Sequence, residues 1–552
     1  MDLKKIDFKH LAPKTGDQRT SFEELCCQIA LYSDNVPKDS KPHRLRGDGG
    51  DGGVEFYWEL PNGEEWGWQA KYVFDLGKVK TQAKKSFETA MVVHPRLTRY
   101  FICIPFDLTG NTKRGKGETE KWEEFKKELE QLAKNEKRKI EVVLEQRFEL
   151  LDKLLQMDPS LGRIRFWFEK DLFSEKWFGE HVATTVNNIP RYTPKLKVDT
   201  DLFRKLMAFT QTGGWADGLK KIYEEFKDKA YYWSSTVETK DDKGWGAKFP
   251  EELVERGKVS VDKVNVVKKV IEDLLVQEIV PSDVTALLNQ IDDATTYLRE
   301  LSRDIRAQLV EQHGEAAVES ANFRQWNAEW MVSFPMANLD SSKDLINLLE
   351  QVRLWVKENY IDLYNSKLLL LTGGWGVGKT FAICDLAELR RVNKQLTVLL
   401  FGDGFIGGTE PWVKIQEQLG INFDSKEALF EALETSAETS GFPLLLCIDA
   451  INETEPKSYW QKKLRLLAAE IEKYPNLNLC VSCRTSYKDY LVRDEVGFIE
   501  AKHPGFKGIE NEAVNAFFNH FGIKPPSTPI IHPEFSNPLF LKLVCQTLQA
   551  KG

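Results

Sequence analysis

The residues Gly373-Gly374-Trp375-Gly376-Val377-Gly378-Lys379-Thr380 follow the spacing G-x-x-x-x-G-K-[ST]. Glycines at this spacing let successive backbone N–H groups turn inward around a phosphate. The start of a following helix adds its positive end. Lys379 would reach the β- and γ-phosphates of a nucleoside triphosphate, and Thr380 would offer its hydroxyl to Mg²⁺. The apolar run Lys367–Thr372 reads as a buried strand leading in, and Phe381–Arg391 as a helix leading out. That strand–loop–helix setting is the one the motif requires.

Two further runs supply partners. Pro443–Asp449 is an apolar strand ending in a carboxylate, so Asp449 is the candidate to hold Mg²⁺, directly or through water. Glu453, four residues on, is the candidate to orient an attacking water, or a plain loop acid. Leu477–Ser482 reads as another strand, followed by Cys483-Arg484-Thr485. Arg484 is placed to meet a γ-phosphate, or to form an ordinary salt bridge.

A second constellation lies near the N-terminus. Arg46-Gly-Asp-Gly-Gly-Asp51-Gly-Gly-Val-Glu55 leads into Val54–Leu60, whose alternation has the period of a strand. Pro61-Asn62-Gly63 then reads as a turn, and the chain returns through Trp66-Gly-Trp-Gln69-Ala-Lys71. Gln69 and Lys71, two apart on a strand, face the same side. Glu23 lies in an expected helix Ser21–Leu31, where Thr20-Ser-Phe-Glu23 also spells a capping box.

These residues require α/β elements in several domains. At 552 residues the chain exceeds a single core, with about two to four domains expected. Residues 1–185 mix strands and charged helices, with Tyr100–Pro105 a short strand and Lys121–Lys134 a helix. Residues 186–340 become helical after a proline-marked segment, through Val264, Val267, Ile271 and Leu274 and then Ser282–Leu309. Residues 341–505 alternate apolar strands (Leu368–Thr372, Leu396–Phe401, Leu444–Asp449, Leu477–Ser482) with helices, which predicts a parallel sheet. Residues 506–552 form a helical piece after it.

The net charge is −8, so the chain as a whole has no strong pull toward nucleic acid. The basic runs Lys78–Lys85 and Lys134–Lys139 read as solvated helix faces. Eight cysteines in so long a chain do not make a disulfide framework, and Cys480-x-x-Cys483 in an apolar strand reads as core thiols. No apolar run approaches the roughly 20 residues of a membrane span, and the N-terminus lacks an apolar signal core. A cytoplasmic protein with no membrane partner is expected.

The runs GGWGVGKT, LLLCIDAINE, LCVSCRTS and SNPLFLKL together resemble STAND NTPases, most closely their bacterial antiviral (AVAST-type) group. The resemblance implies an ATP- and Mg²⁺-dependent switch. It places Pro538 near the adenine, although Pro538 also reads as a helix-start proline. Asn452 and Glu453 stand where the family often has two acids, which puts turnover in more doubt than binding. The N-terminal run resembles the restriction-endonuclease-like PD-(D/E)xK fold, in its Mrr-like branch ending Q-x-K. That fold is an α/β/α layer. It implies carboxylates holding Mg²⁺ at a scissile phosphodiester, with Gln69 and Lys71 beside them. Glu55 falls at the family's usual aspartate; Asp51 is then the preceding loop acid, or the ligand if the register shifts. Glu23 matches an acid these nucleases carry on their first helix.

Together the resemblances imply an anti-phage protein. Its trigger would be a phage protein, terminase or portal, bound by a C-terminal sensor continuing past Gly552. Its substrate would be double-stranded DNA, and its active form a homo-oligomer, a tetramer by family expectation. The rival expectations are an NTP-dependent restriction factor and a nucleotide-switched signalling scaffold with an inactive nuclease-like domain.

Overall fold

A computed structural model describes residues 6–551 except 34, 46–51, 111–115, 190–191, 193–197, 199, 239–244, 246–248, 278, 316–317, 319–329, 493–495, 526–527, 529 and 531. The chain is α/β and multidomain, with two five-stranded sheets. It divides into two compact units. The first comprises Met1–Pro190, Ala387–Cys447 and Glu453–Leu477; the second comprises Arg191–Leu386, Ile448–Asn452 and Asn478–Gly552.

The N-terminal sheet has the order β1 (Lys41–Arg44), β2 (Phe56–Glu59), β3 (Glu65–Ala70), β4 (Leu97–Cys103), β5 (Glu141–Glu145). The first three strands are antiparallel neighbours, and β4 and β5 add in parallel. The β2–β3 turn is the one Asn62-Gly63 predicts: Gly63 has φ +80°, and its N–H donates to Leu60 O at 2.8 Å. Parallel β3 and β4 need a crossover, which the helix Leu76–Val93 supplies. That helix and Glu118–Asn135 bury Val79, Phe87, Trp122 and Phe125 with Tyr100 and Ile102 of β4. Also in the first unit, helix Gly162–Phe168 packs on helix Lys426–Ser440. There the buried Arg163 pairs with Glu431 and with Glu438, the latter at 2.6 Å.

In the second unit four long helices, Asp217–Glu238, Glu251–Val276, Val284–His313 and Trp330–Lys357, pack on one another. Their interior contains indole groups with polar partners. Trp233 Nε1 donates to Ser260 Oγ at 2.9 Å and Trp245 Nε1 to Asn338 Oδ1 at 3.0 Å. The expected boundary at 340/341 falls inside Trp330–Lys357, because the apolar face of that helix continues through Leu345, Leu348, Leu349 and Val352.

The second sheet has the order β10 (Ile499–His503), β6 (Leu368–Gly373), β9 (Leu477–Arg484), β8 (Leu444–Asp449), β7 (Thr397–Phe401), and it is all parallel. Its inner strands read as unbroken apolar runs because both faces are covered. The carboxyl ends of β6, β8, β9 and β10 lie at one edge, where the strand order reverses. After the sheet, helices Glu510–His520 and Pro538–Lys551 bury Val514, Phe517, Phe518, Leu541 and Cys545 together.

Among the described residues no helix is long and apolar enough to cross a membrane. Every cysteine is a buried free thiol, as expected of core residues.

Candidate functional site

In the second unit, β6 delivers the loop Gly373–Thr380 and helix Lys379–Val392 begins at its end. Gly376 and Gly378 have φ +74° and +102°, which only glycine adopts cheaply. A Cβ on Gly376 would stand 2.9 Å from Leu539 Cβ, so the chain beyond the sheet closes on this loop. Leu539 N–H donates to Gly376 O at 3.2 Å, and Asn537 Nδ2 to Trp375 O at 3.2 Å. Pro538 Cγ lies 3.6 Å from where a Gly378 Cβ would be. Pro538 thus lies at the loop and also begins a helix, as a helix-start proline does.

Lys379 Nζ donates to Gly373 O and Gly374 O, each at 2.9 Å. The ammonium is held over the loop's own carbonyls. Thr380 Oγ1 donates to Asp449 Oδ2 at 2.6 Å. Ser482 Oγ donates to Asp449 Oδ1 and accepts from Ala450 N–H at 2.8 Å. Asp449 is only 2 % exposed, and burial raises its pKa against the opposing pull of those hydroxyls and of Lys379. Arg484 sits across from Gly373 in the β6–β9 register, and its N–H donates to Asn452 Oδ1 at 3.0 Å. Lys379, Thr380, Asp449, Arg484 and Pro538 are therefore brought together. Glu453 closes the 3-10 turn Ile451–Glu453, is exposed, and belongs to the first unit.

The oxygens of Thr380 and Asp449 are hard ligands that fit Mg²⁺. The cation at Lys379 and the loop's N–H groups fit a polyphosphate. Ser482 and Asn537 are site residues that the sequence motifs do not mark, and Asn452, marked only as replacing a family acid, holds the Arg484 main chain. Ser482 carried a faint signal, as a lone hydroxyl closing an apolar strand. Strand β10 was missed because an edge strand with Glu500 and Lys502 lacks an apolar run.

In the first unit, Glu55 precedes β2 and lies beside the end of β3. Its N–H donates to Trp68 O at 2.9 Å. Gln69 Nε2 donates to Glu55 Oε1, and Ala70 N–H to Glu55 Oε2 at 2.8 Å. Gln69 is fully buried, and among the described residues its Oε1 has no hydrogen-bond partner. An orphan buried acceptor beside a carboxylate is what a hard cation would complete. Lys71 follows at the strand end, half-buried, with its N–H donating to Cys103 O at 2.9 Å. Helix Gln18–Leu31 covers this place; the Glu55 charge acts on its Arg19 and Cys27, the latter held well above the ordinary thiol pKa chiefly by burial.

One expectation changes here. The helix cap is Asp17, which accepts from Thr20 N–H at 2.7 Å while Thr20 Oγ1 accepts from Asp17 N–H at 3.1 Å. The Thr20–Glu23 box is displaced because the aspartate three residues earlier takes the capping position. Glu23 instead pairs with Arg19 at 2.9 Å. Asp51 lies outside the described residues. Among the described residues no group of three or more His, Cys, Asp or Glu gathers as a metal site. Any cation here would therefore also draw on amide or backbone oxygens.

No profile of a known protein family matches the chain, and no curated protein matches it in sequence.

Proposed function

We propose that the chain is a nucleotide-controlled nuclease of the antiviral STAND type. The observation that carries this reading is the meeting of Thr380 Oγ1 with Asp449 Oδ2 behind the loop that holds Lys379. ATP is the proposed ligand. Mg²⁺ held by Thr380 and Asp449 would supply charge neutralisation at its phosphates. Lys379 exchanges the carbonyls of Gly373 and Gly374 for phosphate oxygens, a change from neutral to charge-assisted hydrogen bonds. Arg484, at the end of β9, gives a second cation for the terminal phosphate.

The proposed effector is the pair Glu55 and Gln69 with Lys71. Glu55 and Gln69 Oε1 would hold the cation that polarises a DNA phosphodiester, and Lys71 would stabilise the charge that develops on it. Sensing of a phage protein and assembly into an oligomer extend the reading by resemblance.

A specific observation favours a second reading, a scaffold with an inactive nuclease-like domain: both Glu55 oxygens already accept protein hydrogen bonds. The test is plasmid cleavage with ATP and Mg²⁺, wild type beside Lys71→Ala. Cleavage lost in the variant supports the nuclease. Equal cleavage by both supports the scaffold.

A further inference from the structure

His503 ends β10 directly across from Gly373, where the phosphate loop begins. Its Nδ1 accepts from Gly505 N–H at 3.1 Å, so the ring proton of the neutral imidazole is on Nε2. Nε2 points at the loop: it lies 3.3 Å from where a Cβ on Gly378 would stand. The ring is 94 % buried, being 6 % exposed, and Nε2 makes no hydrogen bond among the described residues. That leaves a ring N–H with unused donor capacity facing the loop, where an arriving acceptor can take it. The same turn is tied to the rest of the site, since Phe506 N–H donates to Ser536 O at 2.7 Å, next to Asn537 and Pro538.

From this geometry we infer that His503 is a phosphate-reading residue of the nucleotide site, donating Nε2–H to the polyphosphate held by the loop. The inference rests on the nucleotide-site reading above and adds a ligand contact to it. Burial, reinforced by the Lys379 charge, holds the imidazole down at about 4, so the ring is neutral at physiological pH and keeps a single, directed donor. The loop's own N–H groups recognise any phosphate. A side-chain donor beside Gly378, one residue before Lys379, discriminates by phosphate number. Diphosphate and triphosphate reach it, and a monophosphate leaves the contact unmade.

The test is titration of ATP, ADP and AMP with Mg²⁺ into the full chain. The forms compared are wild type, His503→Gln, which keeps an N–H donor, His503→Phe, which keeps a flat ring without one, and Lys379→Ala. Removing one hydrogen bond to a charged group corresponds to about a tenfold loss or more. His503→Phe should therefore weaken ATP and ADP about tenfold and leave AMP within about twofold. His503→Gln should recover most of the loss. ADP binding by His503→Phe within twofold of wild type overturns the inference while leaving the site reading intact. Unchanged binding by Lys379→Ala overturns the site reading itself. Should His503→Phe melt well below wild type, histidine-labelled wild type gives the answer by NMR. ADP should move the Nε2–H signal of one imidazole, and eight unmoved imidazole signals overturn the inference.

Discussion

The two candidate sites bury a carboxylate by different means. In the second unit Asp449 is met by two hydroxyls, Thr380 and Ser482. Hydroxyls rotate, and either can release the carboxylate to a cation without moving the backbone. In the first unit Glu55 is met by an amide and a main-chain N–H, which cannot turn away. The proposed nucleotide site is thus arranged to open to its ligand in place. The proposed nuclease site holds its carboxylate in one orientation and, among the described residues, leaves free capacity on Gln69 Oε1. The difference suits a switch that exchanges ligands and an effector that stays preformed.

The largest effect that would break this comparison is at Lys71. Lys71→Ala should lower DNA cleavage by about 100-fold or more, the scale of losing one charge-stabilising donor. Its melting temperature should stay within a degree or two, because Lys71 is only half-buried. Activity that survives would show that the first-unit site is not a nuclease centre.

Asp449→Asn should weaken Mg²⁺-dependent ATP binding about 10–100-fold, by the scale of losing one arm of a metal site. It should leave Mg²⁺-free nucleotide binding nearly unchanged. The same change should raise the stability of the nucleotide-free protein. Burial raises the Asp449 pKa, so ionising it in the fold costs stability as pH climbs above the ordinary carboxyl value. Thermal melts at pH 7 check this; a variant that melts lower would mean that the hydrogen bonds from Thr380 and Ser482 outweigh the cost of burying the charge.

A smaller effect contrasts a structural acid with these two. Glu434, in the first unit, is buried and accepts from Asn476 N–H and Nδ2. Burial, with Glu438 nearby, pushes its pKa up to about 7. A raised acid binds its proton more tightly folded than unfolded, so stability falls as pH rises from about 4.5 to about 7. Glu434→Gln should flatten that slope in denaturation curves and leave nucleotide binding and cleavage untouched. An unchanged slope would place the titration elsewhere.

How much of this was legible in the sequence follows from how local each feature is. The phosphate loop was legible because its ligands are contiguous and its strand is a run of leucines. Asp449 was legible for the same reason, as a carboxylate ending an apolar strand. Gln69 and Glu55 are fourteen residues apart, and only the Asn62-Gly63 turn made their meeting readable. Ser482, His503 and Asn537 were not legible as site residues. Each acts through register or through a contact made by distant chain, which spacing does not encode. The cap at Asp17 is hard to read because two boxes overlap, and Asp17 rather than Thr20 takes the N-cap position.

The account's central claim is tested most directly by titrating ATP with Mg²⁺ into wild type and Lys379→Ala. The account predicts saturable binding by wild type, weakened about 100-fold or more once the charge-assisted contacts of Lys379 are gone. Equal affinity in the two proteins, or no binding by either, would contradict it.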